Sequence, residues 1–437
     1  MIDLTDLRTR PDLYQDAAKK KRIAFDVKGF LKLDKKRREK LLTVENERAE
    51  QNKASKQIAA MDKAERAVAI KEMKSVSDRL KKAEEELAPL EDEWNRILLT
   101  IPSIPLPNVP VGKDDTENRE VRRWGDPSTA LRVTADAIKD HVALGHALDI
   151  LDIPRGVKVA GSRSYFLKGN GARLELAVML FTIDHLRKKG FTLFTPPVLA
   201  NWDAFMGTSY FPGGEEQAYA VGVQKSKGEA IEPDGLYLIG TSEVSVASYH
   251  GGETLTLEEL PKRYCGLSHC FRREAGTYGK DTHGLYRIHQ FQKVEQVVLC
   301  ENDPEVSAAM HRELLTNAEE VLQALELPYR VVDVCTGDMG RGQVFKNDIE
   351  TWMPSRDGYG ETHSCSTFYD FQSRRLGIKY AARDGQKRFV HTLNNTCIAS
   401  PRILIPILEI NQNQDGSVTI PKVLRPYMGE QERIAAQ

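Results

Sequence analysis

No stretch of this chain approaches the roughly 18 consecutive apolar residues that a membrane helix needs, and the opening Met1-Ile2-Asp3-Leu4-Thr5-Asp6-Leu7 has neither a basic nor an apolar leader segment. The expectation is a cytoplasmic protein that enters no membrane. Cysteine is scarce, with six in 437 residues, all in the second half and none in a C-x-x-C pair. That excludes a disulfide framework and a zinc cage, and it predicts reduced thiols. An excess of one charge is missing too, since 62 Lys and Arg oppose 63 Asp and Glu. General attraction to a polyanion is therefore weak, and any such partner must be met by a local basic surface. Gly169-Asn170-Gly171 lacks the third glycine of a dinucleotide fingerprint, and Gly279-Lys280 is followed by Asp281 where a P-loop needs Ser or Thr. No H-E-x-x-H occurs.

What is present comes in blocks, and a chain of this length with 41% apolar residues should form more than one domain. Residues 31–98 are rich in Lys, Arg, Glu, Gln and Ala, contain no glycine and hold a single proline, Pro89, which is helix composition. Met73, Val76, Leu80, Ala83, Leu87, Leu90, Trp94 and Ile97 alternate spacings of three and four, a heptad seam. The earlier half has a poorer seam through Leu41, Val44 and Ile58. A break near Ala60-Met61-Asp62-Lys63 divides the block, so the spacing predicts a long antiparallel α-helical coiled-coil hairpin with arms of about 45 Å. Pro102, Pro105, Pro107 and Pro110 then exclude both helix and central strand and predict a linker over 99–114. Beyond it, strand-like runs at 235–240, 285–299, 329–334 and 388–393 mix with amphipathic helices at 172–189 and 304–325. The expected class is α+β, with a mainly antiparallel sheet flanked by helices in a domain spanning 115–437 after the arm at 1–98.

Chemistry-bearing residues gather between 270 and 295. In an extended strand residues two apart share a face, which pairs Arg272 with Glu274 and aligns Arg287, His289, Phe291, Lys293 and Glu295. Taken alone this also describes an edge hairpin with one solvated charged face. A phenylalanine among cations, however, suits the stacking of a nucleobase. Thr241 and Glu243 follow the apolar run 236–239 at the same spacing. Glu361, Ser364 and Ser366 set a carboxylate beside hydroxyls, as a hard divalent cation shared with phosphates requires, although a lone Glu361 reads as a surface carboxylate. Asn394 and Thr396 precede Pro401 and Arg402, which open an apolar run read as a buried helix with a kink at Pro406. An arginine at a helix start opposes the dipole unless it faces an anion.

With these residues assembled, the whole chain resembles the bacterial-type seryl-tRNA synthetases, a family of class II aminoacyl-tRNA synthetases. Gly190-Phe191-Thr192-Leu193-Phe194-Thr195-Pro196-Pro197 resembles class II motif 1, whose proline, here Pro197, lies at a dimer interface in the family. Phe271-Arg272-Arg273-Glu274 through Glu295 resembles motif 2, and Asn394 through Arg402 with the following helix resembles motif 3. Thr241-Ser242-Glu243, Ser364-Cys365-Ser366 and the ending 420–429 are similar to segments particular to the family.

The resemblance implies a class II antiparallel core and ATP-dependent ligation of L-serine to tRNA(Ser) through seryl-adenylate, leaving open whether tRNA(Sec) is also charged. It implies a homodimer, with the helical arm binding tRNA. By position, Arg272 would bind the ATP α-phosphate and the serine carboxylate, Glu274 the adenine edge, Phe291 the adenine face and Arg402 the γ-phosphate. Ile288 would offer a backbone contact to adenine, with Arg273, Thr362 and His363 also in the ATP set. Glu361 and Ser364 match Mg²⁺ and phosphate ligands. Thr241, Ser242, Glu243, Glu295, Asn394 and Thr396, together with Arg272, match the serine pocket. Thr362, His363, Thr367, Gln292 and Ile410 depart from the usual family residues, and His363 puts the phosphate-side contacts of its segment in question. Two other classes stand beside this reading: a ligase that adenylates an amino acid for a carrier protein, which a missing hairpin would favour, and a catalytically inactive synthetase-like scaffold, which loss of Arg272, Glu295 or Arg402 would favour.

Overall fold

The computed structural model describes every residue except 61–64, 135–136, 227, 277–282 and 437, and for 59–60, 65–68 and 70–72 the backbone alone. It divides into two compact units, Met1–Ile104 and Pro105–Gln437.

The first unit is built on two 34-residue helices, α1 (Val27–Ala60) and α2 (Glu65–Leu98), each about 50 Å long at 1.5 Å per residue. The turn expected at 61–63 lies outside the described residues. Along the seam of α2, Val76, Leu80, Ala83, Leu87 and Trp94 are buried, and Met73, Leu90 and Ile97 are half-buried. Val44 and Leu41 of α1 join Leu80, Ala83 and Leu87 in one apolar cluster. Antiparallel pairing is visible in the ion pairs between the helices, Arg37 with Glu91 at 2.9 Å, Lys40 with Glu86 at 2.5 Å and Arg48 with Glu84 at 2.5 Å. At the base, the buried carboxylate of Asp34 accepts from Arg8 Nε at 2.9 Å, Arg38 Nε at 3.1 Å and Trp94 Nε1 at 3.1 Å.

The second unit is organised by an eight-stranded sheet of β1 (Arg119–Trp124), β2 (Thr192–Phe194), β3 (Lys262–Phe271), β4 (Gln290–Cys300), β5 (Tyr329–Asp333), β6 (Phe345–Met353), β7 (Gly358–Tyr369) and β8 (His391–Ser400). Their order is β1-β5-β6-β7-β8-β4-β3-β2, antiparallel throughout except for β2 beside β3. Helices α3 (Asn170–Lys188) and α4 (Pro304–Ala324) pack against this sheet. Leu174, Val178 and Ile183 of the first and Leu314, Ala318 and Val321 of the second share a core with Val294, Val298, Ile349, Leu393 and Ile398 of the strands. The start of α4 is set locally: Asp303 accepts from the backbone N–H groups of Glu305 and Val306, and Pro304 occupies the first turn, where no donor is missed. Because strand side chains alternate, the residues between these apolar positions turn to the other face, and the polar set of β4, β7 and β8 lies there.

Three sequence expectations change. The strand-like run at 285–299 becomes a strand only from Gln290, so Arg287 and His289 do not belong to the alternating row of Phe291, Lys293 and Glu295. The run at 388–393 is split between Lys387–Phe389, in a separate three-stranded sheet, and β8, with buried Val390 between them. The helix after motif 3, α5 (Leu404–Ile410), starts two residues beyond Arg402. Pro406 is therefore its third residue, where no intrahelical donor is lost and no kink is required. Among the described residues no helix is long and apolar enough to cross a membrane, and all six cysteines are unpaired and buried.

Candidate active site

Two adjoining cavities open on the polar face of the sheet. One, of about 610 Å³, is lined by Arg272, Glu274, Ile288, Phe291, Glu361 and Arg402 among others. The second, of about 690 Å³, is lined by Tyr210, Glu243, Glu295, Gln343, Asn394 and Thr396 among others. Arg272, Lys293, Ser364 and Thr396 belong to both walls and mark their junction.

Two register shifts in the sheet bring these residues together. Simple alternation would turn Glu361 and Ser364, three apart on β7, to opposite faces. Opposite Ile349 and Glu350 of β6, however, the partners are His363 and Glu361, so Thr362 is an extra residue. Such a bulge re-aims the side chains on either side of it. Between β4 and β8 the same device falls at Cys397, because Val294 pairs with Ile398 and Glu295 with Thr396. Thr396 and Ala399 thereby line one cavity. Phe291, Lys293 and Glu295 alternate regularly opposite Cys270, Ser268 and Gly266 of β3.

Charge is closely arranged. The Arg272 guanidinium carbon lies 5.3 Å from the centre of the Phe291 ring, and its Nε donates to Gly240 O at 3.2 Å. Arg402 donates from Nη1 to Glu361 O at 2.7 Å and from Nε to Tyr286 O at 3.2 Å. Arg287 Nη1 reaches Glu274 Oε2 at 3.2 Å, with Arg163 Nη1 at 3.9 Å. Lys293 and Glu295 form a buried ion pair at 2.5 Å, and Thr396 Oγ1 donates to Glu295 Oε2 at 3.2 Å. Burial, reinforced by the charge of Glu295, pushes the Glu243 carboxyl up to about 7. Burial acts on Glu361 in the same sense, but Lys346, Arg402, Arg272 and Arg287 outweigh it and hold that carboxyl below the usual range. Asp348, buried beside Glu361, is shifted upward by that burial and is held by Lys346 at 3.0 Å.

These oxygens fit a hard cation. Glu361 and Ser364 line one wall, and Asp348 Oδ1 is buried without a hydrogen-bond partner among the described residues. No group of three or more His, Cys, Asp or Glu converges there among the described residues. The donor set therefore suits an ion that takes its remaining ligands from phosphates and water, as Mg²⁺ does, and not an ion caged by protein.

Not every residue named from the sequence lines a cavity. Thr241 and Ser242 are buried behind the wall: the Thr241 hydroxyl accepts from Glu243 N–H at 3.2 Å, and Ser242 Oγ donates to Gly266 O at 3.2 Å. Glu243 starts a short helix, Glu243–Ala247, so strand spacing is not what aims it. Arg273 turns its guanidinium to the Tyr219 ring, 5.9 Å away, and lines neither cavity. Glu274 does line the first cavity with Arg272, but through a left-handed backbone (φ 52°) beyond the end of β3, not through strand alternation. Thr362 and His363 reach the same wall; the Thr362 hydroxyl lies 2.7 Å from both Thr351 Oγ1 and His363 Nδ1. Burial lowers His363 to about 4, so its ring is neutral at ordinary pH. Sequence reading missed Tyr210, Arg341, Gln343, Lys346 and Asp348. The first three stand in irregular segments without a motif, and the last two lie on β6, a strand that carries no motif and meets Glu361 and Ser364 only through its pairing with β7.

An antiparallel sheet backed by helices, with charged and polar groups lining cavities on the other face, is the class II aminoacyl-tRNA synthetase architecture, and the comparisons agree. The family model for the tRNA synthetase class II core domain (G, H, P, S and T) matches residues 227–411, and that for the seryl-tRNA synthetase N-terminal domain matches residues 1–105. The chain is 43% identical to the serine-tRNA ligase of Deinococcus radiodurans over 99% of this chain and 98% of that one. The crystal structure of seryl-tRNA synthetase from Pyrococcus horikoshii complexed with ATP is similar with a TM-score of 0.86 at 37% identity, covering 100% of both chains. The cytoplasmic serine-tRNA ligase from Naegleria fowleri in complex with AMP gives a TM-score of 0.82 at 31% identity, over 98% of this chain and 96% of that one. The chain belongs to the seryl-tRNA synthetase family.

Proposed function

We propose that this protein joins L-serine to tRNA(Ser), with ATP as co-substrate and seryl-adenylate as the intermediate. The observation that carries the reading is the place of Arg272 at the junction of the two cavities, beside Phe291 on one side and the Glu295 set on the other. A guanidinium there meets the α-phosphate of a nucleotide in the first cavity and the carboxylate of an amino acid in the second, the two groups that must react. In the first step a serine carboxylate oxygen attacks the α-phosphorus in line and pyrophosphate leaves. In the second, the 3′-terminal hydroxyl of tRNA attacks the adenylate carbonyl and AMP leaves. Both steps are carried by positioning and charge stabilisation, and neither requires a protein nucleophile.

In this reading adenine stacks on Phe291, with Glu274 and the backbone at Ile288 at its edge, and Arg402 holds the far end of the triphosphate. Glu361 and Ser364 hold Mg²⁺, which when bound neutralises phosphate oxygens. Glu243 and Glu295 receive the serine ammonium, while Thr396, Asn394 and Glu295 surround its hydroxyl. Residues 1–98 form the tRNA-binding arm, 99–114 a linker and 115–437 the catalytic domain. Lys36, Lys53 and Lys56 stand exposed on the arm and suit recognition of an A-form helix by its phosphates and shape. In this reading the protein is cytoplasmic and acts as a homodimer. Dimerisation is supported by Leu176 and Leu180, one turn apart on α3 and about half exposed, since apolar side chains adjacent in solvent mark association surfaces.

Serine-dependent ATP–pyrophosphate exchange, measured beside tRNA charging, tests the assignment. Both activities are expected. Exchange without charging points instead to a carrier-protein ligase, and loss of both to an inactive scaffold.

A further inference from the structure

Behind the wall of the second cavity two buried polar side chains, Gln372 and Thr392, line neither cavity but are hydrogen-bonded to the wall or to each other. Gln372, 1% exposed, donates from Nε2 to Glu243 Oε1 at 2.7 Å and to Thr208 O at 3.1 Å. Its Oε1 accepts from Thr392 Oγ1 at 2.7 Å. A backbone carbonyl can only accept, so Thr208 O fixes which end of the amide faces Glu243, and the Thr392 hydroxyl fixes the other end. Tyr210 Oη donates to the second carboxylate oxygen, Glu243 Oε2, at 2.9 Å. Each oxygen of Glu243 thus has a donor turned toward it, and the one facing Oε1, an amide nitrogen, can only donate, which matches the carboxylate.

We propose that Gln372 is a positioning residue that holds Glu243 ionised and aimed into the amino-acid cavity, so that the cavity selects a cationic amine. The proposal rests on the assignment of that cavity to serine. Its physical content is a contest at Glu243. Burial and the neighbouring Glu295 favour the protonated form, while Lys293, the Tyr210 hydroxyl and the Gln372 amide favour the anion. Arg272 and Arg341 are the other charged groups on the walls of that cavity. Gln372 is the one donor in this contest whose direction is set from behind by two further groups, Thr208 and Thr392. Its removal should therefore act on the protonation of Glu243 and, through it, on serine alone.

The test is the pH profile of kcat/KM for serine in ATP–pyrophosphate exchange by the full-length protein, unmutated and as Gln372→Leu. Loss of a donor to a carboxylate raises its pKa, so the acid limb should move up by about one pH unit, with kcat/KM about fivefold lower at pH 7 and recovering toward the unmutated value as pH rises. KM for ATP should stay within about twofold, because adenine and phosphate contacts lie in the other cavity. Thr392→Val removes only the hydroxyl that orients the amide, keeps the side-chain volume, and should move the limb in the same direction by less. It decides the matter alone if Gln372→Leu does not fold. A loss equal at every pH, a parallel rise in the KM for ATP, or an unshifted limb in Thr392→Val overturns the proposal. Absence of serine-dependent exchange in the unmutated protein overturns the serine assignment instead.

Discussion

Arg272, one residue past the end of β3, meets Phe291 of β4, the guanidinium carbon 5.3 Å from the ring centre. The ring offers its face to the cation, and Nε is tied to Gly240 O, so in the proposed reaction the terminal nitrogens are the ones left to meet substrate anions. Planarity matters as much as charge here: a guanidinium forks toward two acceptors and stacks on a ring, whereas an ammonium does neither as well. Arg272→Lys should slow pyrophosphate exchange by about 10²-fold or more. Unchanged exchange kinetics in that variant would remove Arg272 from the mechanism.

Thr396 lies at the same junction, its hydroxyl bonded to a carboxylate that is already paired with Lys293. A hydrogen bond to a charged group contributes roughly 1.5–3 kcal/mol, so Thr396→Ala should raise KM for serine about 10- to 100-fold and leave KM for ATP little changed. The same logic predicts strong rejection of alanine by the unmutated protein, up to about 10⁴-fold, because its hydroxyl-binding groups would go unpaired. Equal exchange rates with alanine and serine would refute the pocket assignment.

The proposed homodimer can be tested at the exposed apolar residues of α3, Leu176 and Leu180. Sedimentation at micromolar concentration should give about twice 49.2 kDa, and Leu176→Glu with Leu180→Glu should shift the protein toward monomer, since an isologous interface repeats each contact. A fully active monomer would count against the dimer.

On the arm, Arg37, Lys40 and Arg48 are engaged with Glu91, Glu86 and Glu84, which neutralises part of the positive charge of its Lys and Arg residues. Charge reversal at Lys36, Lys53 and Lys56 should raise KM for tRNA and flatten its salt dependence, with pyrophosphate exchange untouched. Deleting residues 40–88 and joining the stumps should abolish charging at ordinary tRNA concentrations. Normal charging by the deletion would make the arm a structural element.

Asp34 makes the arm's stability depend on pH. Burial alone would raise its carboxyl, but the bonds from Arg8, Trp94 and Arg38 prevail and lower it. The unfolded chain, where the ordinary value is about 3.9, therefore binds the proton more readily than the folded one, so this stabilisation is complete above about pH 4 and is lost as pH falls below it. Asp34→Ala should cost about 2–3 kcal/mol at pH 7 in urea unfolding followed by helical circular dichroism, and the cost should shrink toward pH 3. An equal cost at both pH values would show that packing, not charge, is what Asp34 contributes.

Helix composition, the heptad seam and the break near residue 60 together determined the helical arm, because two amphipathic helices joined by a short turn bury their seams against each other and those contacts are local in register. Composition and proline spacing likewise determined the change near residue 100, and the motif residues Arg272, Phe291, Glu295, Glu361 and Arg402 were legible because each sits in a short, specific string. Tertiary structure decided which of them meet. Two bulges, at Thr362 and Cys397, turn side chains that plain alternation would separate, and a bulge depends on the partner strand, which no local pattern reveals. For the same reason Thr241, Ser242 and Arg273 read as pocket residues yet sit behind or beside it. Gln372 and Tyr210, 162 positions apart, became partners of one carboxylate only when the chain folded, since a buried hydrogen bond is chosen by which groups lose water together.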